Sequence, residues 1–304
     1  MEKNLFYYLC TSSEGYILSK SLKNRGTFRR GLSLILTKFM RKRLKEAKKG
    51  CLSLPIYGSS KLPPISLTSY PLRYDSLPLV LLNLLDQSKL PEKIYVWLSY
   101  KDYKLLDPEI IELFQASIVE FHQTQNYGCH KKWLPLATVS NQPFVICDDD
   151  IFYPKHWYES LINSDDGQSC TAHRCHLMRI SPDVKILPYA SWDKDIQSFG
   201  QSSYGLFPVG CGGVLIFPER ISSRFRDWHL ISNACPKADD VWLKLAHLES
   251  GVYCKKSLYS FPCIEYANSQ AVSLMHTNVD LGYNDIQIKH CLSELQLDLR
   301  KYFK

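Results

Sequence analysis

Three consecutive aspartates, Asp148, Asp149 and Asp150, follow directly on the apolar run Phe144-Val145-Ile146-Cys147. A run of that length and composition reads as a buried strand, and ligands of open parallel sheets bind beyond the carboxyl ends of their strands. Adjacent carboxylates repel one another unless a counter-charge is close. A hard divalent cation, held by one or two carboxylates and by phosphate oxygens, supplies that charge. Alternation in the turn sets Asp148 and Asp150 to one side and Asp149 to the other. A solvated acidic loop or a helix cap is the plain alternative.

A second acidic pair stands in Lys237-Ala238-Asp239-Asp240-Val241-Trp242, opening a segment whose Val241, Leu245 and Leu248 share one helical face. The helix dipole favours carboxylates there whatever their function, which explains one aspartate better than two. Upstream, Gly210-Cys211-Gly212-Gly213 lets backbone come close to a ligand. Cys170, His173, Cys175 and His176 form a cluster of soft and borderline metal ligands. Strand alternation divides it, with Cys170 and His176 on one face and His173 and Cys175 on the other, which works against one tetrahedral zinc. The eleven cysteines include no CxxC pair, so reduced thiols are expected.

The elements that must carry these residues alternate. Ile65 to Leu67 reads as a strand, followed by a helix capped by Asp75 or Ser76 with Leu77, Leu81, Leu84 and Leu85 on one face. A strand over Lys93 to Leu98, a helix over Pro108 to Gln115, a strand over Ser117 to Phe121 and a helix over Lys131 to Ser140 lead to the strand before the aspartates. Strict alternation implies βαβ crossovers and a mostly parallel α/β sheet. Beyond Asp150, helices are expected over Lys155 to Asn163 and Ala238 to Glu249 and a strand over Gly213 to Phe217, forming the second half of the same domain.

The net charge of +7 is unevenly placed. Between Lys20 and Lys49, twelve basic residues face a single acid, Glu46, which leaves the rest of the chain net acidic. Within that block, Phe28 to Lys49 has Leu32, Ile35, Leu36, Phe39 and Met40 at helical spacing, followed by Arg41-Lys42-Arg43. Two readings stay open: contact with an anionic membrane surface, or packing on the domain with a solvated cationic face. No base-reading module accompanies the basic block, so nucleic acid is not an expected partner. No apolar run is long enough to span a membrane and no export signal stands at Met1-Glu2-Lys3-Asn4, so a cytoplasmic protein is expected, with attachment at the inner face of the cytoplasmic membrane as its peripheral variant. The Gly, Ser and Pro-containing stretch from Gly50 to Lys61 sets the domain limits: a basic accessory segment at 1–60, a main domain at 61–290 and a tail or helix at 291–304.

Together, Leu67-Thr68-Ser69-Tyr70-Pro71-Leu72-Arg73, Asn126-Tyr127-Gly128 with Lys131-Lys132, Asp148-Asp149-Asp150-Ile151-Phe152-Tyr153-Pro154, Gly210-Cys211-Gly212-Gly213-Val214-Leu215 and Ala238-Asp239-Asp240-Val241-Trp242 resemble bacterial GT-A fold glycosyltransferases of lipopolysaccharide and capsule gene clusters. The resemblance spans Ile65 to Asn284 and implies a GT-A, Rossmann-like fold and sugar transfer from a nucleotide-sugar donor to a glycan or lipid-linked glycan acceptor. It implies that Asp148 and Asp150 bind Mn2+ or Mg2+, with His276 as a late metal or diphosphate ligand. Thr68, Tyr70, Arg73, Lys132 and Asp149 would contact the donor, Lys132 from the helix before the acidic turn. Asp240, with Asp239 beside it, would be the catalytic base of an inverting enzyme; a retaining enzyme would use its carboxylates otherwise. Two competitors remain: a metal-dependent nucleotidyl or phosphoryl transferase, against which the missing GxxxxGK[ST] loop counts, and a membrane-surface binding protein on a degenerate transferase scaffold.

Overall fold

The computed structural model describes residues 25–267, 269, 278 and 281–303, so the expected ligand His276 lies outside the described residues. The chain begins with α1 (Arg25–Lys48) and then alternates β1 (Ile65–Thr68), α2 (Leu77–Leu84), β2 (Ile94–Ser99), α3 (Pro108–Gln115), β3 (Val119–Thr124), α4 (Leu134–Val139) and β4 (Phe144–Ile146). β-branched and aromatic residues fill these strands and favour the pleated backbone. Burial on both sheet faces explains why β2 and β4 read as apolar runs, whereas the edge strand β3 is only partly buried.

The four strands pair in parallel in the order β3-β2-β1-β4, with Ile65 opposite both Ile94 and Val145. The chain steps outward from β1 to β3, then returns to lay β4 on the other side of β1. That reversal opens a crevice beyond the carboxyl ends of β1 and β4, where such sheets bind ligands.

The second half extends the same sheet. After the short β5 (Ile151–Phe152) and α5 (Trp157–Asn163) come β6 (Cys170–Ala172), β7 (Cys175–Leu177), β8 (Ser202–Ser203), β9 (Leu206–Pro208), β10 (Val214–Ile216), α6 (Trp228–Ala234), α7 (Asp239–Glu249), β11 (Cys254–Lys256), β12 (Ile264–Glu265) and α8 (Tyr283–Leu295). The eight-stranded order is β3-β2-β1-β4-β10-β6-β11-β8, in which β10 runs antiparallel to β4 and to β6. β5 pairs with β12 and β7 with β9 in two small ribbons. The architecture is an α/β, Rossmann-like fold with a large, mostly parallel central sheet flanked by helices.

Strand alternation divides the interior into two cores. Val145, Cys147 and Leu215 face one layer with Leu32 and Leu81, while Phe144, Ile146, Val214 and Ile216 face the other with Trp242 and Ile288. α8 runs across residue 290 and contributes Ile288, Cys291 and Leu295 to this second core.

Three local expectations change. The helix expected from Lys131 starts at Leu134, and Gly128–Lys132 forms a 3-10 turn, so Lys132 is not on a helix. Pro135 sets that start, because in the first turn its missing N–H leaves no bond unmade. Ser76 stands at the start of α2 without capping it; its hydroxyl donates to the carbonyls of Arg73 at 2.9 Å and Asp149 at 3.0 Å, tying the helix to the acidic turn. The apolar stripe of α1 is split: Leu32, Leu36 and Met40 join the core against α2, whereas Leu34, Ile35 and Phe39 face outward.

Candidate active site

β1 ends at Thr68, and the backbone after it delivers Ser69, Tyr70 and the 3-10 turn Pro71–Arg73 to the crevice. The Ser69 hydroxyl donates to Asp149 Oδ2 at 2.5 Å. Arg73 pairs with Asp150, and its Nε donates to the Tyr70 hydroxyl at 3.4 Å. The Thr68 hydroxyl donates to the Trp97 carbonyl at 2.7 Å. Asp102, Asn126 and Lys131 extend the same wall, with the Lys131 ammonium 3.8 Å from Asp102 and 3.4 Å from Asn126 Oδ1.

Lys132 joins the two acidic clusters. Its ammonium lies 2.8 Å from Asp148 Oδ1 and 2.8 Å from Asp239 Oδ2, with only 7% of its side chain exposed. The Ser66 hydroxyl fixes the Lys132 carbonyl at 2.7 Å, so β1 itself positions this turn. Asp240 sits in the first turn of α7, where its Oδ1 accepts from the Gly210 N–H at 3.0 Å. A methyl group on Gly210 would stand 2.8 Å from that oxygen and 2.9 Å from the Lys132 ammonium, so only glycine brings backbone this close.

Burial first, then the neighbouring Asp150, pushes the Asp149 carboxyl up to about 7. Burial raises Asp150 to about 6 although Arg73 opposes it, and burial together with Asp239 holds Asp240 well above the usual carboxylate range. Burial alone would lower the Lys132 ammonium, but Asp148, Asp239 and Asp240 outweigh it and hold the proton in place.

Apart from Ser66, Trp97 and Gly210, these residues line one cavity of about 900 Å³. The structure therefore brings Thr68, Tyr70, Arg73, Lys132, Asp148, Asp149, Asp150, Asp239 and Asp240 to a single wall system. Alternation alone assigns Asp148 and Asp150 to one side, yet they answer to different cations: Asp148 to Lys132, and Asp150 to Arg73. Asp102, Arg174, Tyr189 and Lys194 also line the cavity and were not among the sequence candidates, since nothing in their spacing marks them. Of the cysteine and histidine cluster, His176 lines this cavity, while Cys170, His173 and Cys175 do not. His173 bonds the Trp157 carbonyl at 2.8 Å and Ser257 Oγ at 2.6 Å, and His176 Nδ1 accepts from the Asp195 N–H at 3.0 Å. Among the described residues no group of three or more His, Cys, Asp or Glu side chains is arranged to hold a metal ion.

The acidic turn nevertheless suits a cation shared with a phosphate ligand. Five carboxylates, Asp148, Asp149, Asp150, Asp239 and Asp240, lie close to two cations, Arg73 and Lys132. The donors are hard oxygens, as Mg2+ and Mn2+ prefer. Asp148, with 31% of its side chain exposed, presents the more open carboxylate, whereas Asp150 is at 9%.

What the fold and the cavity define together is an open-sheet α/β protein with an acidic cleft at its topological switch point. No protein-family model matches the chain, and no curated protein matches it. Among solved structures, a mannosyltransferase of Pyrobaculum calidifontis in complex with GDP-Man and Mn2+ is similar at 10% identity, over 89% of this chain and 76% of that one, with a TM-score of 0.47. A 4-diphosphocytidyl-2C-methyl-D-erythritol synthase of Anaerococcus prevotii is similar at 10% identity, over 72% and 96%, with a TM-score of 0.44. HddC of Yersinia pseudotuberculosis, complexed with GMP-PN, is similar at 15% identity, over 53% and 80%, with a TM-score of 0.37. At such scores these likenesses identify no family, and the functional reading rests on the chain's own geometry.

Proposed function

We propose that the protein is a metal-dependent glycosyltransferase of the GT-A type, moving a sugar from a nucleotide-sugar donor to a glycan or lipid-linked glycan in bacterial surface polysaccharide synthesis. One arrangement carries this reading: within a single cavity, Lys132 links the acidic turn that follows β4 to the acidic start of α7.

In this reading Asp148 and Asp150 would hold Mg2+ or Mn2+, an ion that supplies positive charge to the departing diphosphate. Thr68, Tyr70 and Arg73, with Asp149 held by Ser69, form the donor's wall beyond β1. Lys132 adds a fixed ammonium beside Asp148 for a phosphate oxygen. Asp240 takes the acceptor proton as the hydroxyl attacks the sugar carbon and the sugar–phosphate bond breaks. Burial and Asp239 raise its carboxyl, and Lys132 and the Gly210 N–H act the other way, towards the ionised form that accepts a proton. Asp239 balances Lys132 and keeps that charge next to the reacting groups.

A nucleotidyl transferase on the same scaffold would release pyrophosphate, whereas the proposed reaction releases a nucleoside diphosphate. The test runs a panel of nucleotide sugars assayed for nucleoside diphosphate, and a panel of nucleoside triphosphates with sugar 1-phosphates assayed for pyrophosphate, each with Mn2+ and with chelator, on the parent and on Asp150→Ala. Pyrophosphate release, or diphosphate release at the parent rate by Asp150→Ala or in chelator, refutes the proposal.

The same reading extends to where the enzyme works, at the inner face of the cytoplasmic membrane. Among the described residues no helix is long and apolar enough to cross a membrane. The outward face of α1, however, shows Leu34, Ile35 and Phe39 at 53%, 51% and 50% exposure among the exposed cations Arg30, Lys38, Arg41, Lys42 and Lys45. Such a face suits an anionic bilayer, each nearby cation adding about 1 kcal/mol in a salt-sensitive way. Because the inner face of α1 belongs to the core, the variant to test replaces Leu34, Ile35 and Phe39 by serine and leaves the helix in place. Equal sedimentation of variant and parent with anionic liposomes at low salt removes the idea.

A further inference from the structure

The cavity does not end at Asp240. It continues over the connection between β6 and β7, on the far side of β10 from the acidic turn, and there its wall becomes cationic. Arg174, within that connection, and Lys194 both line it. Arg174 Nε donates to Asp195 Oδ1 at 2.5 Å, and its Nη1 lies 3.1 Å from Cys211 Sγ, which fixes the guanidinium beside the glycine-rich turn.

Lys194 has different company. Its ammonium donates to the Tyr189 carbonyl at 2.6 Å, stands 3.0 Å from the centroid of the Tyr189 ring and lies 5.4 Å from that of Trp192. Among the described residues no carboxylate pairs with it within 4.0 Å, and the groups it touches are neutral. Burial, with Arg174 adding to it, pulls the ammonium down to about 8, although Asp285 and Asp195 act the other way. An exposed ammonium with neutral partners, lining the cavity next to a guanidinium, can take an anionic group of a ligand as its counter-charge. Tyr189 feels the charges of both Asp240 and Arg174, so this wall and the candidate base face a common space.

We infer that Lys194 and Arg174 bind an anionic group on the acceptor, a carboxylate or a phosphate carried by the sugar whose hydroxyl meets Asp240 or by its neighbour. This rests on the transferase reading of Asp240. The donor's diphosphate has its own cations, Arg73 and Lys132, on the other side of the cavity. The rings of Tyr189 and Phe207, buried and packed edge to face at 6.1 Å, also line this part of the cavity.

Calorimetric or saturation-transfer titrations of the full chain compare methyl glucuronide, glucose 6-phosphate, inorganic phosphate and the neutral methyl glucoside. The proteins are the parent, Lys194→Met and Lys194→Arg, and UDP and GDP with Mn2+ are titrated into each as the donor-side control. The parent is expected to bind at least one anionic sugar tenfold or more tighter than methyl glucoside. The glucuronide and the 6-phosphate tell a carboxylate from a phosphate site. Lys194→Met should lose that preference, Lys194→Arg should keep it, and diphosphate affinity should be the same in all three. Equal affinity for neutral and anionic sugars, no binding of any sugar, or an undiminished preference in Lys194→Met overturns the inference, and if a nucleoside diphosphate still binds, the transferase reading stands without it. Anion preference with no nucleoside diphosphate bound sinks the transferase reading, and the acceptor role falls with it.

Discussion

Replacing Lys132 by methionine keeps the length of the side chain and removes its charge. In the parent, the ammonium lies 2.8 Å from a carboxylate oxygen of Asp148 and 2.8 Å from one of Asp239, with 7% of the side chain exposed. At an effective dielectric of about 20, each such contact is worth roughly 6 kcal/mol of Coulomb attraction before the desolvation of the ions is subtracted. Breaking a buried pair from one side typically costs about 3–5 kcal/mol, because the partner charge is left uncompensated. For a domain of this size that corresponds to a fall in melting temperature of roughly 10 °C. Scanning calorimetry of Lys132→Met at pH 7 and low salt measures it. The deficit should shrink on adding millimolar Mn2+, which can occupy the space the ammonium leaves. Turnover with the correct donor should fall by about a hundredfold, the usual effect of losing one fixed donor to developing charge. A variant that melts within about 2 °C of the parent at pH 7 would refute the view that Lys132 holds the two acidic clusters together.

Two further outcomes are expected. Asp240→Asn should keep donor affinity and lower kcat by about 10²–10⁴-fold, since a base acts only as the acceptor proton moves; single-turnover assays at saturating donor check this, and near-parent kcat transfers the role to another group. His247, pushed down to about 4 chiefly by burial, stays neutral in the folded chain while the unfolded chain takes its proton near pH 6.5. Between those values the unfolded state binds more protons, so this group's contribution is complete above pH 6.5 and is lost as the pH falls towards 4. From pH 7 to pH 5 that loss is about 2 kcal/mol. His247→Leu should remove that much of the pH dependence, read as the difference between parent and variant urea midpoints, and parallel pH profiles would contradict it. Comparing the two proteins isolates the histidine from Asp149 and Asp150, whose raised carboxyls favour the folded state on acidification.

The fold was legible where local pattern and burial agree. Val145 and Ile146 read as a buried strand because both sheet faces are covered, and the helix Pro108–Gln115 begins at its proline as the residue type dictates. The antiparallel β10 was not legible, since a three-residue apolar strand carries no mark of its direction. The acidic turn was visible as chemistry, but its partners were not: Arg73 stands 77 positions from Asp150, and Ser69 stands 80 from Asp149. Such pairings arise from strand order, which periodicity does not encode. Lys194 illustrates the limit most clearly, because an isolated lysine among polar residues resembles any surface lysine until its neighbours are known. The stripe on α1 could be read only as a mean over both faces, and packing against α2 resolved it into a core side and an outward side.

The glycine-rich turn is more crowded than flexible. A methyl group on Gly212 would come within 2.6 Å of the Arg174 side chain, and one on Gly213, whose φ is +92°, would come within 2.4 Å of the Trp157 ring. Here the main chain itself fills the space between the Arg174 side chain and the Trp157 ring. A wall made of backbone has no alphabet in which to write preference, so descendants of this chain can alter what they accept only by changing the side chains around it. Along this seam evolution can keep the site or lose it, but cannot retune it by small steps.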